Sequence, residues 1–210
     1  MEIGIIGGTG KQGSGLAKRL ARAGYHVRIG SRQEEKGKQV AESIGIENLS
    51  GGSNEFAAKA DIVVLTIPAD QIEVLLEPLK PILKTKVVID TIINLRFGKT
   101  VESVPFHGTS VYEFLNTFLD QSNVVTAFKT ISASILGGDQ SLNQSDFIIT
   151  ENDEIFEKIS ALSRAIGLQP LKIPSAYHAT TIERMVALSI QLNKSYKGSH
   201  CGYLISDIKL

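Results

Sequence analysis

Three glycines spaced Gly8-x-Gly10-x-x-Gly13 follow the apolar run Ile3-Gly4-Ile5-Ile6 and open a helical stretch beginning Leu16-Ala17-Lys18-Arg19-Leu20. In a turn that seats a dinucleotide each glycine does a separate job. Gly8 permits the tight strand-to-helix turn, Gly10 removes a Cβ that would hold a pyrophosphate off the backbone, and Gly13 lets the helix lie close to the strand. The backbone N–H groups of residues 10 to 13, Lys11 and Gln12 among them, would then face a diphosphate at the positive end of the helix dipole. The turn is read as an anion seat.

A second group lies at the tip of the next strand, Tyr25 to Gly30, which ends in Ser31-Arg32-Gln33. A site that prefers NAD carries an Asp or Glu here to accept from the adenine ribose. This chain has a hydroxyl and a guanidinium, with Lys36 and Lys38 following, and these suit a 2′-phosphate through charge-assisted hydrogen bonds. NADP(H) is therefore expected over NAD(H). The competing reading is that Arg32 and Lys36 only solvate a helix start at which Glu34 and Glu35 already favour the dipole.

The remaining candidates fall where a doubly wound sheet gathers its ligands. Asp61 to Pro68 is a nearly continuous apolar run, as expected of a parallel strand buried on both faces. In the order 3-2-1-4-5-6 its end, Thr66, Ile67 and Pro68, borders the nicotinamide-ribose side of the crevice. After a fifth strand, Lys86 to Ile93, the loop Asn94-Leu95-Arg96-Phe97-Gly98-Lys99 offers Arg96 and Lys99 either to an anionic substrate or to solvent. After a sixth, Asn123 to Phe128, the segment Lys129 to Ser134 supplies small residues and hydroxyls, Thr130, Ile131, Ser132 and Ala133 among them, that leave room for a flat ring. No acid–base pair stands out. His26, His107, His178 and His200 read as surface or satisfied side chains, and Cys201 as a buried or tail thiol.

Local signals set the elements that must hold these groups. A helix is expected over 34 to 44, ended by Gly45, then a short strand from Ile46 and Leu49 before a turn at Ser50-Gly51-Gly52. Ser53 should cap a helix from Asn54 to Ala60. Pro78 and Pro81 predict a break near Glu77 in the helical stretch 71 to 83. Ser110 with Glu113 has capping-box spacing for a helix to about Gln121. Asp146 to Thr150 and Leu168 to Ile173 read as strands around a helix from Asp153 to Ile166. The last helix, Tyr177 to Tyr196, is apolar on more than one face and needs a cover, either a partner subunit or the monomer itself.

The fold class expected is α/β: a doubly wound parallel Rossmann sheet with a small C-terminal α/β extension ending in a long helix. Residues 1–135 would form the NADP-binding domain. Residues 136–210 would complete the acceptor cleft and carry the candidate interface of a homodimer. The 22 basic and 22 acidic residues balance, so charge argues against a nucleic-acid or membrane-surface partner. A single cysteine excludes a disulfide framework or a CxxC site, no apolar run is long enough to span a bilayer, and a cytoplasmic protein is expected.

In combination these residues resemble the coenzyme F420-dependent NADP reductases. The resemblance rests on Gly7-Gly8-Thr9-Gly10 with Gly13, Gly30-Ser31-Arg32 followed by Glu34-Glu35-Lys36, Val64 to Pro68, Val124-Val125 with Thr130-Ile131, and Gly167-Leu168-Gln169-Pro170-Leu171. It implies that Thr9, Ser31, Arg32 and Lys36 hold the phosphates of NADP, and that Ile67, Pro68, Leu95, Ile131 and Ala133 line the cleft where nicotinamide and deazaflavin stack. It also implies hydride transfer by positioning, with no catalytic side chain and no metal. Ala69, Gln71, Ser132 and the tail pair Ser206-Asp207 depart from that family's pattern of an aromatic, a His, a Pro and a Gly. An NADPH-dependent flavin or ferric reductase using FMN or FAD, and a non-catalytic NADPH sensor, stay open as alternatives.

Overall fold

Runs of Ile and Val that are apolar on both sides must be covered by helices on both faces of a sheet, and the chain alternates such runs with amphipathic helices. The computed structural model describes residues 1–120, 123–197 and 200–208. Its strands and helices follow in the order β1 (Glu2–Ile6), α1 (Lys11–Arg22), β2 (His26–Ser31), α2 (Glu34–Ile44), β3 (Leu49–Ser53), α3 (Asn54–Ala58), β4 (Ile62–Leu65), α4 (Ile72–Leu76), α5 (Lys80–Leu83) and β5 (Val87–Asp90). Then come β6 (Leu95–Phe97), β7 (Val101–Ser103), α6 (Val111–Leu119), β8 (Val124–Thr126), α7 (Ala133–Gly137), β9 (Gln144–Ile149), α8 (Asp153–Ala165), β10 (Leu168–Ile173) and α9 (Ala179–Ser195).

One sheet carries eight strands in the order β3-β2-β1-β4-β5-β8-β9-β10. The first six reproduce the doubly wound order with every pair parallel. The ladder then reverses: β9 runs antiparallel to β8, with Thr126 opposite Ile149, and β10 runs parallel to β9. Ile5 sits between Ile29 and Val64 in the register, so β1 is apolar-walled on both sides. One core, around Ile5, Leu16, Leu20 and Val64, lies beneath α1 and α8. The other, around Leu65, Leu76, Leu115 and Ile182, lies beneath α4, α6 and α9.

Several local expectations hold. Gly45 ends α2 in the left-handed region, Ser53 Oγ accepts from the Phe56 amide, and Ser110 with Glu113 forms the full capping box. The stretch around Pro78 and Pro81 is broken into short turns of helix. The helix after Ser110 ends at Leu119, and Gln121 lies outside the described residues.

Two expectations are corrected. Ser50-Gly51-Gly52 is not a turn but the middle of β3, paired with Arg28, Ile29 and Gly30. The glycines are there because helices lie against both faces of the strand: a Cβ on Gly51 would stand 2.0 Å from the Gly37 carbonyl oxygen on α2, and one on Gly52 would stand 2.7 Å from the Phe56 ring on α3. The loop after the fifth strand is an antiparallel hairpin, β6 with β7, in which Arg96 pairs with Glu102. The last helix divides between the two covers considered for it. Ala179, Ile182, Val186 and Ala187 are buried in the monomer, whereas Leu188 is exposed. Among the described residues no helix is long and apolar enough to cross a membrane.

Candidate active site

The turn between β1 and α1 is built from both sides of the sheet. Gly7, at φ +73°, makes the left-handed bend, so the tight turn expected of Gly8 falls one residue earlier. Asn54 Oδ1 accepts from the Gly7 amide at 3.1 Å, and the Gly8 amide donates to the Gly30 carbonyl at 2.9 Å. Thr66 Oγ1 donates to the Ile6 carbonyl at 3.0 Å, tying the end of β4 to the end of β1. Gly13 packs as expected: a Cβ there would stand 2.6 Å from both Gly8 Cα and Thr66 Oγ1. Gly10 faces open space, its nearest neighbour the Gly7 oxygen at 3.7 Å.

The Gly10 amide donates within the turn to Gly7 at 3.2 Å, and the first bond of α1 runs from Ser14 to Gly10. The open end of the helix therefore offers the amides of residues 11 to 13 rather than 10 to 13. Its first turn carries no acidic side chain and its N-cap, Gly10, no side-chain cap. Nothing there competes with an incoming anion.

A cleft of about 730 Å³ opens beside this turn. Of the residues singled out in the sequence it is lined by Thr9, Gly10, Ser31, Arg32, Lys36, Thr66, Ile67 and Pro68. It also takes in Gln33, Asn54 and Leu75, to which sequence reasoning assigned no site role, together with Gly7 from the resemblance motif and Gln71, singled out above as a departure from the family's pattern. Gly8 and Gly13 are buried beneath its floor, while Lys11 is exposed and Gln12 half-buried on the first turn of α1. Ser31 is buried and its Oγ accepts from the Gln33 amide at 3.3 Å.

The charges at the tip of β2 divide sharply. Lys38 Nζ lies 2.8 Å from Glu34 and 3.1 Å from Glu35, and those carboxylates hold its ammonium above the usual lysine range. Lys38 is thus spent on the two acids, contrary to its expected part in phosphate recognition. Arg32 and Lys36 are exposed and make no ion pair among the described residues.

The acceptor-side candidates do not line this cleft. Asn94 follows β5 and closes the base of the hairpin: its side chain donates to the Pro105 carbonyl at 3.3 Å, and its carbonyl accepts from Val104. Leu95 is half-buried in β6. Thr130 and Ile131 are buried, and Ser132 and Ala133 half-buried at the start of α7. The segment 129–134 is therefore not the open bed of small residues expected. Its exposed fringe is polar, with Ser132 Oγ 2.8 Å from Ser134 Oγ and Ser134 Oγ 2.8 Å from His200 Nδ1.

Beneath it lies a buried charge cluster that sequence reasoning missed. Lys129 Nζ is 2.6 Å from Asp90 Oδ2 and 3.2 Å from Glu183 Oε1, with all three side chains at most 2 % exposed. Asp90 Oδ1 accepts from the Ile92 amide at 2.8 Å, and Glu183 Oε1 from the Val111 amide at 2.9 Å. Burial pushes both carboxyl groups above their usual range, and the Lys129 ammonium opposes it. For two of the three the available signal was a lone charge closing an apolar run, Val88-Ile89-Asp90 and Ala127-Phe128-Lys129; Glu183, beside Arg184 in Thr181-Ile182-Glu183-Arg184, carried no such mark.

Residues 2–94 match the family described as NADP oxidoreductase coenzyme F420-dependent. The chain is 30% identical over 226 residues to the F420-dependent NADP reductase of Methanocaldococcus jannaschii, covering 100% of both chains. It is 32% identical over 222 residues to the enzyme of that name from Methanothermobacter thermautotrophicus, covering 99% of this chain and 96% of the other. A crystal structure from Arthrobacter sp. FB24, provisionally titled an F420-dependent NADP reductase, superposes with a TM-score of 0.83 at 20% identity over 99% of this chain and 100% of that one. The last shows the shared fold.

Proposed function

The chain belongs to the F420-dependent NADP reductase family, and from that membership we propose that it passes hydride between NADP(H) and coenzyme F420. One observation carries the NADP half. Arg32 and Lys36, exposed and without ion-pair partners among the described residues, line the same cleft as Gly10 at the open end of α1. The donor set fits the ligand: a helix end without an acid for the pyrophosphate, a guanidinium and an ammonium for the 2′-phosphate.

The two cofactors, when bound, supply the redox chemistry themselves. The protein's work is to bind, orient and exclude water. In our reading Gly8, Thr9, Gly10, Lys11, Gln12 and Gly13 seat the diphosphate, and Ser31, Arg32 and Lys36 select the 2′-phosphate. Thr66, Ile67 and Pro68 flank the nicotinamide ribose. Asn94, Leu95, Thr130, Ile131, Ser132 and Ala133, which follow the carboxyl ends of the neighbouring strands β5 and β8, border the deazaflavin. No side chain is asked to act as a general base. Residues 1–135 serve as the NADP domain and 136–210 as the extension that completes the acceptor side. A homodimer through the outer face of α9 is supported by the exposure of Leu188 and Tyr196, and a cytoplasmic setting by the single cysteine.

Anaerobic mixing of protein and NADPH with F420, FMN, FAD or a ferric chelate, followed by absorbance at the NADPH band, tests the reading. Rapid NADPH oxidation with F420 is expected. Oxidation only with a flavin or ferric chelate, or tight NADPH binding without oxidation by any of them, would overturn it.

A further inference from the structure

The cluster around Lys129 does more than fill space. Three buried charges are an expensive way to hold a core together, because apolar residues of the same shape often stabilise as well or better. The position of each member is what sets this cluster apart. Asp90 is the last residue of β5, and Lys129 follows β8 by three residues; these strands are neighbours in the sheet. Glu183 belongs to α9, and the oxygen that faces Lys129 also receives the first amide of α6. One ammonium thus joins two strand ends and two helices.

The next residue along extends the connection to the other side of the crevice. Thr91, buried beside Asp90, donates through Oγ1 to the Leu65 carbonyl at 2.7 Å. Leu65 is the last residue of β4 and immediately precedes Thr66, Ile67 and Pro68. An unbroken path therefore runs from the Thr66–Pro68 edge through Leu65, Thr91, Asp90 and Lys129 to Thr130 and Ile131. The segment it reaches starts from a backbone that needs holding. Phe128, fully buried, sits at φ +57°, a left-handed conformation costly for a bulky side chain and kept only where its surroundings over-determine it.

We propose that Lys129, clamped between Asp90 and Glu183, is a positioning residue that fixes the acceptor-side segments 91–95 and 130–133 relative to the Thr66–Pro68 edge. The inference rests on the functional reading above, in which those two edges border the two reacting rings. Transfer between stacked rings depends steeply on their separation, and a displacement of about 1 Å can cost about a hundredfold in rate. Among the described residues no hydrogen bond or ion pair joins Gly10 or Arg32 to the cluster, so nucleotide affinity should be largely independent of it.

Lys129→Met keeps an unbranched apolar stem out to Cε and removes the ammonium. Steady-state kinetics and NADPH titration on the full chain should show a KM for F420 raised and a kcat lowered, each by about tenfold or more, with the Kd for NADPH within about twofold of wild type. Glu183→Gln, which keeps the oxygen that receives the Lys129 and Val111 N–H groups, should lose less than Glu183→Leu; this pair carries the test if Lys129→Met fails to fold. Wild-type F420 kinetics in Lys129→Met would overturn the inference, as would equal losses in NADPH affinity and F420 turnover, or equal losses in the two Glu183 variants. Failure of the wild type itself to reduce F420 would overturn the functional reading and this inference with it.

Discussion

The Phe128 amide donates to the Asp146 carboxylate at 2.6 Å, so that a buried acid on β9 holds the left-handed residue from which the acceptor-side segment departs. The other carboxylate oxygen accepts from Ser163 on α8, also at 2.6 Å. Among the described residues no cation pairs with this acid. Burial alone pushes its carboxyl up from 3.8 to about 6, against the two hydrogen bonds.

The sign of the consequence follows from linkage. A carboxyl whose folded value is raised binds its proton more tightly in the native state, so its stabilisation is complete below pH 3.8 and is lost as pH rises through about 6. Asp146→Asn keeps an acceptor for Phe128 and has no charge to bury. Thermal melts of the two proteins should coincide near pH 4 and diverge above pH 6, with the variant more stable by about 3 kcal/mol at most. Parallel melting curves across that range would show that the acid carries no such cost.

At the tip of β2 the ion pairs predict a division between two lysines that look alike in sequence. Arg32→Ala should weaken NADPH by roughly ten- to a hundredfold while leaving NADH within about twofold, the range for losing a charge-assisted bond to phosphate. Lys36→Ala should follow in the same direction. Lys38→Ala should leave NADPH binding nearly unchanged, since its ammonium already lies on Glu34 and Glu35. Fluorescence titration with both nucleotides reads all three, and an NADPH affinity indifferent to Arg32 would remove the basis for the cofactor preference.

What could be read from the chain, and what could not, divides by distance along it. The Gly8-Gly10-Gly13 turn, the Gly45 stop and the Ser110–Glu113 box are local, each decided within a few residues by backbone sterics or a single hydrogen bond. The Asn54 hold on Gly7 spans 47 positions, and the Lys129 contacts to Asp90 and Glu183 span 39 and 54. Such contacts leave no periodicity. Ser50-Gly51-Gly52 misled for the opposite reason: glycine pairs mark turns when nothing else is known, but here they are the space that α2 and Phe56 of α3 need against β3. The antiparallel entry of β9 was equally invisible, because a strand's apolar pattern does not carry its direction.

The glycines of the first turn separate stability from binding most directly. At Gly10 a Cβ would meet nothing nearer than 3.7 Å and the backbone is extended, with φ −76° and ψ 167°, so Gly10→Ala should fold with a melting temperature near that of wild type. Its methyl group would then stand in the space assigned to the diphosphate, and NADPH affinity should fall by about tenfold or more. At Gly13 the same methyl group would press on Gly8 Cα and Thr66 Oγ1 at 2.6 Å, and the first of these is backbone that cannot swing aside. Gly13→Ala should therefore lose about 1–3 kcal/mol of stability by overpacking, measured by denaturant melts without any ligand. If Gly10→Ala instead unfolds and Gly13→Ala does not, the helix end is not the open seat that the cleft geometry describes.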